Sequence, residues 1–366
     1  MSEERRVMGE IVDSLIKVPV FIGSALAKRP VILDLYDAAR NKFRDPLTYL
    51  ASEKIINGAK QGRSVVFATG FLVPPWLAPE TDGPVGAVTL ARALNVSLDL
   101  TPIIITDDAL VERISALCEA SGFRVCEYIK ASALPRRVAV EGFPISEEEA
   151  LRQTKSLLDK TKPVALIAIE RGSRNEKGEY HSGVGMNITN ITAKIDFLFE
   201  EARRRGIPTI GIGDGGNEIG MGCIKEAVKK YIPTATKCGC PCGAGTHAAT
   251  ETDMLVVASV SNWGAYGIEA CLAYALRQPE LIHDAELEER LLEEAGRIGF
   301  IDPATGFGEP SVDHIPKKIQ IAIIDILNFI VRSRLKESLY IQKYRSYTTS
   351  MRSSVQDIIN KWEKYL

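Results

Sequence analysis

A chain of 366 residues, 45% hydrophobic and 25% charged with 29 Gly and 18 Pro, has the composition of a globular protein able to bury a substantial core. Its formal charge of −2 gives no drive toward nucleic acid or an anionic membrane, and no window approaches the length of a membrane span. Seven cysteines over this length do not make a disulfide scaffold, and the polar start, Met1 to Arg6, lacks signal-peptide organisation, so a soluble cytoplasmic protein is expected.

The first sixty or so residues read as helical. Val7 to Ile16 has helix-compatible apolar spacing, and Tyr36 to Gly58 carries Leu47, Leu50 and Ile55 among charged positions. No chemistry is placed in this segment, residues 1–60. From Ser64 short β-branched runs alternate with helical stretches. The predicted strands are Val65–Gly70, Pro102–Thr106, Arg124–Ile129, Val164–Glu170, Thr209–Gly213 and Met254–Ser259. Between them lie predicted helices at Val85–Leu94, Asp108–Ser121, Glu147–Lys160, Ile191–Arg205 and Ile219–Lys230. Ser146 and Glu149 make a capping box for the third of these. Val138–Gly142 is either an extra strand or part of an excursion with Arg136, Arg137 and Pro144. After Trp263 the pattern is mostly helical, through Ile268–Leu276, Ala285–Gly296, Lys317–Lys336 and a tail from Leu339 to Leu366.

Continuous apolar strands separated by helices of this length call for an α/β fold. It is doubly wound, with a mostly parallel sheet, helices on both faces, and helical N-terminal and C-terminal segments. Residues 61–283 would form the core domain with the site, and 284–366 a helical region packed on it. Right-handed crossovers gather the strand-to-helix loops on one edge, where such sheets bind ligands.

Three of those loops are dense in Gly, carboxylate and amide. In the first, Phe71 to Ala87, Asp82 and Gly83 precede Pro84, which suits the first position of a helix. Free amides at that helix start favour an anion at Gly83. Asp82 is either an N-cap or, with Glu80, one of two carboxylates sharing a cation. The second loop, Glu170 to Asn187, is long for a compact domain. Glu170 ends an apolar strand, where a carboxylate needs a partner or a metal. Arg171 and Arg174 are candidate clamps for a substrate carboxylate or phosphate. His181 is either a surface residue or a substrate contact.

The third loop, Gly211 to Gly222, sets Asp214, Asn217 and Glu218 among glycines, of which Gly215 and Gly216 let the backbone approach a ligand. Asp214 and Glu218 straddle the turn and can face one point, either as catalytic and metal-ligating groups or with Asp214 as a turn cap. Glu218 occupies the position of the last glycine of a dinucleotide fingerprint, which rejects such a site. Oxygen ligands without imidazole or thiolate select Mn²⁺ or Mg²⁺, with Ca²⁺ as a third candidate, over Zn²⁺. Metal ligands are therefore expected at Glu80, Asp82, Asp214, Asn217 and Glu218. Cys238, Cys240 and Cys242 do not match the usual spacing of structural zinc sites. His247 could supply a fourth ligand, but reduced thiols in a Gly-rich active-site loop are the more economical reading. Trp263 and Tyr266 either wall the pocket or pack in the core.

The segments "PPWLAPETDGPVGA", "IERGSRNEKGEYHS" and "IGDGGNEIGMG" resemble the carboxy-terminal domain of the D-glutamate cyclase family, the likeness running from about Leu47 to Arg334. That resemblance implies cyclisation of D-glutamate to 5-oxo-D-proline with loss of water. It carries over the site positions Glu80, Asp82, Glu170, Asp214, Asn217 and Glu218. The family's full-length form has a second, hydro-lyase-like domain, which a chain of this length is too short to include.

The expected function is thus a divalent-metal-dependent enzyme acting on a small anionic metabolite. In the cyclase reading Arg171 or Arg174 holds the α-carboxylate, and Glu218 protonates departing water, with Asp214 and Glu170 also catalytic. A Mn²⁺- or Mg²⁺-dependent phosphatase would use the same acids, seating phosphate on the helix starts after Gly83 and Gly216. A non-catalytic metabolite-binding subunit is the third reading. No nucleic-acid or membrane partner is expected, and self-association as a homo-oligomer is compatible with the chain.

Overall fold

The apolar runs beyond Ser64 pair into one seven-stranded parallel sheet, in a computed structural model that describes residues 2–19, 30–59 and 64–336. Its strands are β1 (Ser64–Thr69), β2 (Thr101–Asp107), β3 (Arg124–Val125), β4 (Arg137–Phe143), β5 (Leu166–Ile169), β6 (Thr209–Gly213) and β7 (Met254–Val257). In space they run β3-β4-β2-β1-β5-β6-β7, so the chain begins in the middle and winds outward in both directions. Side chains alternate between two cores. Val65, Phe67, Ile104 and Ile167 face one, while Val66, Ala68, Ile103, Ile105 and Leu166 face the other.

The helices are α1 (Ser2–Ile16), α2 (Val31–Phe43), α3 (Leu47–Gly58), α4 (Pro84–Leu98), α5 (Val111–Ala120), α6 (Tyr128–Ala133), α7 (Glu147–Thr161), α8 (Asp196–Arg204), α9 (Lys225–Tyr231), α10 (Ser261–Leu276) and α11 (Ala285–Arg297). Residues 317–336 form a further helix. Residues of α1 to α5 and of α9 to α11 build the first core, and those of α6 to α8 the second. The sheet is thus covered on both faces, which is what strands buried along their whole length require. The fold is a doubly wound α/β sheet with helical elements before and after it. The tail expected to be helical from Leu339 lies outside the described residues.

Several local expectations change. The run from Arg124 pairs only as far as Val125 and then turns into α6, a switch that a short apolar run does not announce. Val138–Gly142 belongs to the seven-residue β4, which pairs with β2 along five positions. Tyr36–Gly58 is two helices, broken before Pro46, whose ring cannot donate to a continuing helix. Helix α8 begins at Asp196 rather than near Ile191. Helix α9 begins at Lys225 rather than Ile219, because residues 219–221 cross over β6 in close backbone contact. A Cβ at Gly211 would stand 2.4 Å from the Ile219 carbonyl oxygen and 2.8 Å from Gly220 Cα. Ser146 sits at the N-cap of α7, but its hydroxyl makes no capping bond.

Candidate active site: a carboxylate cluster at the sheet edge

The chain leaves strand β1 and its neighbour β5 toward opposite sides of the sheet, and open sheets bind ligands where the order of connections reverses in this way. Five segments bring acids to this edge. The β1–α4 connection brings Glu80 and Asp82, the end of β5 brings Glu170, and the turn after β6 brings Asp214 and Glu218. A hairpin pairing Ser311–Val312 with Ile315–Pro316 brings Asp313 at its tip, and Asp302 lies beneath it. One oxygen each from Asp82, Asp214 and Asp313 lie within 4.8 Å of one another, as do oxygens from Glu170, Asp214 and Glu218. Asp214 is common to both groups. Asp214 and Asp313 are partly exposed, while Glu80, Asp82, Glu170 and Glu218 are buried.

Each acid is fixed by its local backbone. The Asp82 carboxylate accepts from the N–H groups of Ser261 and Asn262 at 2.8 Å each, so it caps α10, not its own helix. Asn262 reciprocates: its Oδ1 accepts from Gly83 N (2.9 Å) and Gly86 N (2.7 Å) at the start of α4. Two helix N-termini therefore meet at the cluster, each closed by a side chain from the other's segment. Glu170 stands at positive φ, 45°, and accepts from Ser261 Oγ at 2.6 Å. Glu218 folds back into its own turn and accepts from Gly215 N (2.6 Å), Gly216 N (2.7 Å) and Asp214 N (3.3 Å).

Burial raises the pKa values of Glu80, Asp82, Glu170, Asp214 and Asp313, and neighbouring acids raise them further. Burial and then the charges of Asp313 and Asp82 hold Glu80 well above the carboxylate range. Burial followed by Asp214 does the same to Glu170, and burial followed by Asp313 to Asp214. Asp313 is raised by burial and then Asp82. Burial pushes Asp82 up to about 6 against the opposing pull of its three backbone N–H donors. Such a cluster is tolerated with protons or a cation in it. The donor set is all oxygen, which fits a hard divalent ion, and Glu80 Oε1 is buried without a hydrogen-bond partner among the described residues. Asp82, Asp214 and Asp313, with Glu170 and Glu218 beside them, are the residues that could hold it.

Other expected site residues stand elsewhere. Arg171 is wholly buried, paired with Asp107 at 2.6 and 3.1 Å and donating to the carbonyls of Gly70 and Ala193. It fastens the β1 and β5 loops to β2 and is not presented to a substrate. Arg174 pairs with Glu200 at 2.6 Å and stacks over Phe197. The amides of Gly83, Gly215 and Gly216 are taken by Asn262, Asp82 and Glu218, so neither turn offers a free anion seat. Asn217 donates its side-chain amide to the His181 carbonyl at 3.1 Å. His181 turns its ring to Cys240 Sγ, 3.2 Å away, and His247 instead meets the Ala235 carbonyl. Trp263 and Tyr266 are fully buried core residues.

Asp313 and Asp302 reach the cluster from a segment with no strand-end signal in the sequence, whereas Ser261 and Asn262 follow the expected strand Met254–Ser259 with no carboxylate to mark them. Asp302 accepts from Ser311 Oγ (2.6 Å) and His314 N (2.8 Å) and so sets the hairpin that carries Asp313. Only the Asp-His pair between two short apolar dipeptides hints at that turn.

The fold and this edge define an α/β protein with an oxygen-donor centre at a topological switch point. The chain belongs to the D-glutamate cyclase-like, C-terminal family, matching it over residues 32–328. It is 33% identical over 228 residues to the human protein named D-glutamate cyclase, mitochondrial, an overlap of 58% of this chain. That overlap is 33% of the human protein, so the chain spans about a third of the length of this relative. Among the described residues no helix is long and apolar enough to cross a membrane.

Proposed function

We propose that the chain is a divalent-cation-dependent cyclase of D-glutamate, forming 5-oxo-D-proline and water at the carboxylate cluster. The observation that carries this reading is the convergence of Asp82, Glu170, Asp214, Glu218 and Asp313 on one edge, all within the stretch matched to the family. The name of the human relative supplies the substrate.

In the reaction the amine nitrogen bonds to the γ-carboxyl carbon and a carbon–oxygen bond of that carboxyl breaks. Two protons leave the ammonium nitrogen and both end on the departing oxygen, so the site must carry protons with no net gain. Glu170, whose pKa is raised by burial and by Asp214, would do this, with Ser261 Oγ fixing its orientation. Glu218 accepts three backbone N–H bonds and so shapes the turn that carries Asp214. A bound Mn²⁺ or Mg²⁺ would polarise the γ-carboxyl as a Lewis acid. The phosphatase reading loses its anion seats to Asn262 and Glu218. The unbridged thiols fit a reducing compartment such as the cytoplasm.

The test is to incubate the protein with D-glutamate and Mn²⁺ or Mg²⁺ and follow 5-oxoproline by chromatography, beside Glu170→Gln and Asp214→Asn. Cation-dependent product in wild type, lowered at least about a hundredfold in either variant, supports the proposal. Cation binding without product above the uncatalysed rate would make the chain a metabolite-binding subunit and refute it.

A further inference from the structure

Residues 236 to 250 form no helix or strand, a long irregular segment inside an ordered domain. It carries Cys238, Cys240 and Cys242, and all three thiols turn to one point. Their sulfurs are separated by 3.4, 3.3 and 3.2 Å, too far apart for a disulfide, and all three are free. His181, from the second acidic loop, completes the group with Nε2 at 3.2 Å from Cys240 Sγ and 3.9 Å from Cys242 Sγ. The four donor atoms all lie within 4.8 Å of one another.

We propose that Cys238, Cys240, Cys242 and His181 form a structural zinc site. On a tetrahedron around Zn²⁺ two thiolate sulfurs stand roughly 3.8 Å apart, and a sulfur and an imidazole nitrogen roughly 3.5 Å apart. The sulfur–sulfur separations are shorter than that edge by about half an ångström and the two sulfur–nitrogen distances bracket theirs, so small outward rotations of the thiols would admit the ion. Three soft thiolates and an imidazole select Zn²⁺ over the hard ions that suit the carboxylate cluster. The site therefore does not compete with the acidic centre for the same metal. Four protein ligands close the coordination sphere, which marks a structural role, not a catalytic one. Binding takes the metal in as its aquo ion and releases the three thiol protons and the bound water to solvent, leaving the site at one net negative charge.

The surroundings suit that assignment. Asn175 Nδ2 lies 3.5 Å from Cys242 Sγ and also donates to the Gly245 carbonyl at 2.8 Å, tying a thiolate to the loop that carries His181. His181 Nδ1 has no partner among the described residues, so the ring is oriented through Nε2. Cys240 and Cys242 are partly exposed, which gives the metal a way in. The site would also brace the acidic edge. Asn217 bonds the His181 carbonyl, and Ala248 N donates to the Gly216 carbonyl at 3.0 Å. Zinc would thus pin the irregular segment and the second acidic loop against the turn that carries Asp214.

The experiment is elemental analysis of the full chain purified without chelator, with metal release followed as a mercurial thiol reagent is titrated in. The expected result is roughly one zinc per chain, released as three thiols react, and its loss in Cys240→Ser. Because that variant could misfold, reduced wild-type protein is also loaded with Co²⁺. Tetrahedral cobalt bands with sulfur-to-metal charge transfer are expected, which an oxygen-only site cannot give. Zinc below about a tenth per chain together with no sulfur–cobalt band would overturn the proposal. So would a disulfide between any two of the three cysteines in the protein as purified. Neither outcome depends on cyclase activity.

Discussion

Replacing Arg171 by Met separates two roles that the sequence leaves open, a clamp for substrate and a tie within the fold. The guanidinium is wholly buried, and its two terminal nitrogens are engaged by the Asp107 carboxylate and the carbonyls of Gly70 and Ala193. Met removes the cation but leaves Asp107 charged and buried, with the Ala193 N–H at 2.6 Å as its remaining protein donor. Stranding one member of a buried ion pair costs about 3–5 kcal/mol. Two carbonyls that lose their donors add about 1 kcal/mol each. A loss on the order of 5 kcal/mol is therefore expected, a large share of a typical domain's stability. Adding Asp107→Asn removes the stranded charge and should recover about 2 kcal/mol or more. Arg171→Lys should rescue little, because an ammonium cannot reach the carboxylate and both carbonyls in one plane. Urea unfolding of wild type, the two single variants and the double variant measures all of this. If Arg171→Met unfolds within about 1 kcal/mol of wild type while substrate affinity collapses, the structural assignment is refuted.

His283 lies buried between Glu269 (2.8 Å) and Glu288 (3.1 Å), with Tyr266 against its ring. Burial pulls its pKa down, but Glu269 and then Glu288 outweigh this and raise it to about 10. A raised folded-state pKa means the contribution is full below the unfolded value, near 6.5, and fades as pH rises toward 10. Unfolding free energy should fall by a few kcal/mol over that window, and His283→Gln should flatten the profile. An unchanged slope in the variant would contradict the assignment. Gly83 has φ 91°, and a Cβ there would stand 2.7 Å from Glu170 Cβ and 2.8 Å from the Ile169 carbonyl. Gly83→Ala should therefore destabilise by on the order of 3 kcal/mol in thermal or urea unfolding and weaken cation binding by displacing Glu170; a neutral variant would show that the contact yields.

Strands buried on both faces were legible as apolar runs, and β1, β2, β6 and β7 begin within a residue of their expected positions. Strand β4 is half-exposed in its middle, with Glu141 and Gly142, so its run left strand and excursion both open. The acids after β1, β5 and β6 stood out because Gly and carboxylate there are unusual together. Their partners did not. Asp313 reaches the cluster from a segment expected only to pack on the core, through a hairpin whose register depends on Asp302. The Arg171–Asp107 pair spans 64 positions, and nothing local distinguishes a buried guanidinium from one aimed at a ligand. Asp82 was read as a cap for its own helix or a ligand, yet the helix it closes begins at Ser261. Such reciprocity between distant segments leaves no periodic trace.

The helix that Asp82 closes is also the best buried among the described helices α1 to α11. From Ser261 to Ala273 every residue of α10 is shielded, and its sides rest on α1, α3 and α4. The oxygens that end this rod also face the acidic centre. Charge arriving at Asp82 thus pushes or pulls on one end of a member roughly 24 Å long. Helices α1 and α3 pack against its sides. Any effect of the sheet edge on those helices has, by linkage, an equal effect in return.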